Sequence, residues 1–160
     1  MLVADPTLPD FNSYASVIDL RAFADARGFI IPADDAECAQ LLVQAMDYLE
    51  GLEWRGERAV PSQPFAWPRT GLRFDGVDLP GDVIPKQLVS AQCRLAIESQ
   101  DIDLSPSVAG GGAVTMERVE GAVTVQYEPG TNKNTPSFPW LHASLRGLVS
   151  GGNQVRISRG

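Results

Sequence analysis

Between Gly56 and Gly81 the chain carries prolines at positions 61, 64, 68 and 80, and this stretch restricts the fold more than any other. Proline donates no backbone hydrogen bond, so neither a helix nor a long central strand can run through the segment. A loop of roughly twenty-five residues inside a small domain is uncommon and has to be held by its own side chains. Trp54, Phe65, Trp67, Leu72 and Phe74 can supply that packing. An ordered Ω-like excursion is therefore expected here, and not a linker.

Helical periodicity flanks the loop on both sides. Ser16 offers an N-cap with Asp19 as its capping-box partner. Val17, Leu20, Phe23 and Ala24 follow at helical spacing, and Gly28 closes the helix. A second helix is expected from near Asp34 to about Leu49, with Cys38, Leu41, Leu42, Ala45, Met46 and Leu49 on one face. Asp34, Asp35 and Glu37 sit at the positive end of its dipole. Pro85 suits the first turn of a third helix that turns Leu88, Ala91, Leu95 and Ala96 inward. The last helix is expected to begin near Ser137 and to bury Phe138, Leu141, Leu145 and Leu148.

A β-hairpin is expected over about 113–128, where Val123, Val125 and Tyr127 alternate with polar residues and pair across a Glu120-Gly121 turn. Gly110, Gly111 and Gly112 precede it as a hinge. The fold class that follows is α+β, mainly α: a small bundle of about four helices, a hairpin arm, a long ordered Pro/Trp-rich loop and an extended C-terminal tail. Residues 1–149 read as one domain, and 150–160 as a flexible tail. Val155, Arg156 and Ile157 at its centre form a candidate docking strand, with a loose terminus as the equal alternative.

With 160 residues and 44% hydrophobic content the chain can build one core. No apolar run approaches the roughly eighteen residues of a membrane span, and the N-terminus lacks the basic and apolar regions of a signal peptide; an intracellular product with no membrane partner is expected. The net charge is −7, and the thirteen Lys and Arg are scattered with no two adjacent. That distribution weighs against tight binding of nucleic acid, which draws on clustered cations, and it also suits a conduit whose walls repel DNA.

No constellation for catalysis stands out. His142 is the sole histidine and borders an apolar helical face; only two lysines exist, Lys86 and Lys133. Phosphate-binding glycine motifs are absent. The carboxylate groups Asp34-Asp35-Glu37, Asp75/Asp78 and Asp101/Asp103 read as helix caps and turn residues. Cys38 and Cys93 fall in helices as packing residues, and with one histidine they fall short of a zinc site. No enzymatic activity, metal or cofactor is expected.

The aromatic loop keeps two readings. Trp54, Phe65 and Trp67, interleaved with Arg55, Arg58 and Arg69, can form a stacking platform for single-stranded DNA. Alternatively Trp54, Phe65, Trp67, Pro68 and Arg69 pin the loop to the helices, which is favoured because each Trp sits beside small or proline residues.

Several of these segments together resemble a family of small tailed-phage proteins often labelled DnaT-like. The resemblance lies in Asn12-Ser13-Tyr14-Ala15-Ser16-Val17, in Ala45-Met46-Asp47-Tyr48-Leu49-Glu50-Gly51 with Trp54-Arg55-Gly56, in Gln63 with Trp67-Pro68-Arg69-Thr70-Gly71, and in Phe138-Pro139 with Leu145 and Leu148. It implies a head–tail connector or neck adaptor of the virion, made in the host cytoplasm. Such a subunit forms a homo-oligomeric ring, expected to be a dodecamer, between the portal protein and a tail-proximal neck or stopper protein, with DNA only as passing cargo. Val123, Val125 and Tyr127 would then reach a neighbouring subunit, and Val155, Arg156 and Ile157 would dock onto the portal. The alternative, carried by the family's label, is a DnaT-like single-stranded-DNA-binding replication protein.

Overall fold

The first helix, α1 (Val17–Arg27), begins where the sequence places it. Ser16 Oγ accepts from the Asp19 amide at 3.1 Å, and Asp19 Oδ2 accepts from the Ser16 amide at 2.8 Å, closing the capping box. Gly28 ends the helix at φ 71°, a left-handed conformation that costs glycine little. The structure is a computed structural model that describes residues 1–107 and 136–150. The expected hairpin at 113–128, with Val123, Val125 and Tyr127, and the tail residues Val155, Arg156 and Ile157 lie outside the described residues.

α2 (Asp35–Glu50) buries Cys38, Leu42, Ala45, Met46 and Leu49 along one stripe. α3 (Lys86–Glu98) is the central element: it packs against both α1 and α2 and buries seven of its thirteen residues. α4 (Pro139–Ser144) is a short helix with proline in its first turn. Phe138, Leu141, Leu145 and Leu148 are all buried as their spacing requires.

The loop between α2 and α3 contains two ladders that the sequence did not suggest. β1 (Glu57–Arg58) pairs antiparallel with β2 (Arg69–Thr70), placing Arg58 opposite Arg69. β3 (Arg73–Phe74) pairs with β4 (Val77–Asp78). Each strand has two residues, which is all that the surrounding prolines and glycines allow. At Gly56, φ is 73° and a Cβ would stand 2.4 Å from the Thr70 carbonyl oxygen, so only glycine fits where β1 begins. Trp54 bridges to Val149, and Ser150 donates to the Glu53 carbonyl at 2.8 Å, so the start of the loop is tied to the chain beyond α4.

Four helices and two small two-stranded sheets among the described residues make a mainly helical α+β fold. None of these helices is long and apolar enough to cross a membrane. One polar knot sits inside the core. Gln92, fully buried on α3, donates to Ser13 Oγ at 2.8 Å and to the Leu42 carbonyl at 2.9 Å, and accepts from the Ala15 amide at 2.7 Å.

Candidate nucleic-acid interface

Two regions of the molecule combine arginine with aromatic rings, and their geometry differs. In the long loop the rings face inward. Trp67 is 1% exposed and meets Trp54 edge-on at 5.5 Å. Trp54 Nε1 donates to the Leu49 carbonyl at 3.2 Å. Phe65 packs edge-on against Phe11 at 5.8 Å. The Pro68 carbonyl accepts from Gln63 Nε2 and from the Ala59 amide.

Arg69 commits three of its five N–H donors to its own loop. Its Nε donates to the Arg55 carbonyl at 2.6 Å, Nη1 to Ala66 at 3.0 Å and Nη2 to Gly56 at 2.8 Å. Burial, and then the charge of Arg58, lower its pKa from the ordinary value. Behind it the Tyr14 hydroxyl donates to Glu50 Oε1 and accepts from the Trp67 amide, while Glu50 Oε2 accepts from the Ala66 amide. Burial, reinforced by the Glu50 carboxylate, raises the Tyr14 phenol. These rings and most of the donors serve the fold, while Trp67 Nε1 is buried without an acceptor among the described residues. Arg55 and Arg58 stay exposed, while Trp54 and Phe65 are half-buried and Trp67 is buried.

The second region was not anticipated. Three helices each contribute an i, i+4 pair to one cleft of about 180 Å3: Phe23 and Arg27 from α1, Ser90 and Arg94 from α3, Trp140 and Ser144 from α4. Residues four apart stand on the same helical face, so each pair delivers two side chains to one spot. Ala91, at the floor, is small enough to let the helices approach.

Both guanidiniums lie on rings. The Arg27 guanidinium carbon is 3.8 Å from the Phe23 centroid, and that of Arg94 is 4.5 Å from Trp140. Phe29 stacks on Phe23 at 6.4 Å with the planes 5° apart, and Phe138 and Tyr48 continue the aromatic row behind Trp140. Arg94 Nε and Trp140 Nε1 are buried donors with no hydrogen-bond acceptor among the described residues. Glu98 Oε1 stands 3.8 Å from Arg94 Nε, within range of charge attraction but too far for a hydrogen bond.

Half of this cleft was visible in the sequence. Phe23 counted as an inward residue of α1, yet it is only half-buried and carries Arg27 on its face. An aromatic residue followed four positions later by arginine was the available signal. Nothing local announced that Arg94 and Trp140, forty-six positions apart, would meet.

The remaining candidates are placed as follows. His142 is exposed. Asp35 pairs with Arg21 at 2.6 Å and Asp78 with Arg73 at 3.0 Å. No cluster of three potential metal ligands occurs among the described residues. Cys38 and Cys93 are buried free thiols; burial raises both, Cys93 to about 12.

A family model described as "Putative DnaT-like ssDNA binding protein" matches residues 1–160. The chain belongs to that family. No curated protein and no solved structure matches it. Membership in the DnaT-like family overturns the expectation of a head–tail connector. The ring, the dodecamer, the portal protein, the neck or stopper partner and DNA as mere cargo all fall with it. The physical reason is visible in the segments that carried the resemblance. Ser13, Tyr14, Glu50, Trp67 and Arg69 bond to one another, to α3 or to the loop's own backbone. They are residues that make this fold, and they carry no information about a ring.

Proposed function

We propose that this DnaT-like protein binds single-stranded DNA and works by binding alone, without catalysing a reaction. The observation that carries the reading is the family match along the whole chain. The cleft between α1, α3 and α4 supports it physically. Single strands are held by cations along the backbone and by rings that stack on bases irrespective of sequence, and guanidinium planes serve both purposes. The net charge of −7 does not oppose this, because binding depends on the local field and not on the sum. It does set the character of the binding: a small number of cations facing an acidic remainder gives modest affinity that fades quickly with salt.

The test is a titration of the protein into a fluorescein-labelled twelve-nucleotide oligothymidylate, followed by anisotropy at low and then rising salt. A saturable rise that weakens steeply with salt is expected. A flat trace at low salt, with the protein shown to be folded by circular dichroism, rejects the reading.

A further inference from the structure

Resting on the single-stranded-DNA reading, we infer that the cleft lined by Arg27 and Arg94 is a seat for one phosphodiester group of the strand, and that it takes the backbone without distinguishing the bases. The chemistry of the lining is one-sided. Arg27, Arg94, Ser90 and Ser144 line it with Phe23 and Trp140, and no carboxylate does, Glu98 standing 3.8 Å from Arg94 Nε. Arginine and tryptophan only donate hydrogen bonds. A phosphodiester only accepts them, through two unesterified oxygens that match the guanidinium fork. A base edge carries no charge to meet the two guanidiniums, whereas a phosphodiester does.

Neither guanidinium is held by a strong hydrogen bond among the described residues. Arg94 makes no hydrogen bond among the described residues, and its Nε is buried without an acceptor, as is the neighbouring Trp140 Nε1. Among the described residues Arg27 makes one long hydrogen bond, Nη1 to the Phe23 carbonyl at 3.4 Å. A buried donor left without an acceptor is costly and uncommon in folded proteins; Trp67 Nε1, outside the cleft lining, is a third, so the case for an arriving acceptor rests on the two guanidiniums that line the cleft. The rings beneath the guanidiniums fix their planes, which reduces the ordering needed on binding. Size agrees. A cleft of about 180 Å3 is below the roughly 300 Å3 at which pockets for whole small molecules begin. One group enters, and the flanking nucleotides remain outside.

The deciding experiment is the salt dependence of oligothymidylate binding by wild type, by Arg27→Gln/Arg94→Gln, and by Arg58→Gln as a control for an exposed arginine elsewhere. Losing one neutralised phosphate should make the slope of log K against log salt shallower by about 0.7. We expect that change in the double variant, with at least a tenfold loss of affinity that is the same for oligo-dT, oligo-dC and oligo-dA. Arg58→Gln should keep the wild-type slope. A purely structural role for the pair would lower the melting temperature and leave the slope alone. If the double variant does not fold, Arg27→Gln, at an exposed position, and Arg94→Lys, which keeps charge but not the fork, take its place. At least a threefold loss of affinity is expected from each. Wild-type binding with unchanged slope and affinity in the cleft variants overturns the seat and leaves the single-stranded-DNA reading standing. Absence of wild-type binding overturns the reading, and the seat with it.

Discussion

The loop after α2 and the cleft beside α3 are built from the same materials, arginine and aromatic rings, and put them to opposite uses. In the loop, Trp67 is 1% exposed and Arg69 donates to three backbone carbonyls. In the cleft, Trp140 is half-buried, and Arg94 lies on its face with its donors unclaimed among the described residues. Composition does not separate the two. What separates them is how the guanidinium is held: Arg69 by three backbone carbonyls of its own loop, Arg94 by no hydrogen bond among the described residues. A guanidinium that closes a loop has three of its five donors committed, whereas one resting on a ring keeps its edge free.

The largest effect that tests this contrast is on stability. Trp67→Ala removes the biggest fully buried side chain and should lower the unfolding free energy by about 3–5 kcal/mol, read from a urea or guanidinium transition. Trp140→Ala, which removes the ring under Arg94, should do the converse, weakening oligonucleotide binding by about 0.5–2 kcal/mol while costing less stability than Trp67→Ala. Equal losses of stability from the two variants would erase the distinction. Tyr14→Phe, which leaves Glu50 and the Trp67 amide short of a partner, should cost about 1–3 kcal/mol in the same denaturation assay and leave DNA affinity where it was.

A pH titration probes the buried side of the contrast. The Cys93 thiol stays protonated in the fold up to about 12, against an ordinary value of 9.0. Between those limits the unfolded chain gives up a proton that the folded one keeps. Stability should therefore be unaffected by this group below pH 9 and fall above it, by about 1.4 kcal/mol per pH unit. Tyr14, raised in the same direction, adds to the decline at higher pH. Chemical denaturation from pH 8 to 11 tests this, and Cys93→Ala should flatten the curve. The smallest effect belongs to Arg58→Ala. This residue is exposed and among the described residues its side chain holds only the Gln63 carbonyl, at 2.8 Å; a change within about 0.5 kcal/mol is expected in the same measurement.

The helices were legible in the sequence because their signals are local. The Ser16/Asp19 box, Gly28, and the apolar stripes of α2 and α3 need only neighbours within a turn or two. The ladders β1–β4 were not legible, since two-residue strands among prolines have no period to detect. The cleft lay between these cases: the Phe23–Arg27 pair is local, but its partner Arg94–Trp140 exists only once α3 and α4 have packed. The resemblance to connector proteins failed for a related reason. Tyr14, Glu50 and Trp67 join segments far apart in sequence into one packing unit, and a shared packing unit specifies an architecture without specifying its use.

The bonds of Gln92 have a practical consequence for anyone trimming this protein. Its amide is satisfied only when the strand of chain ahead of α1, through Ser13 and Ala15, is seated against α3. The N-terminal stretch therefore behaves as a keystone. Protease cleavage or deletion that takes Ser13 and Ala15 should not release a smaller intact bundle, but should unravel the helices together.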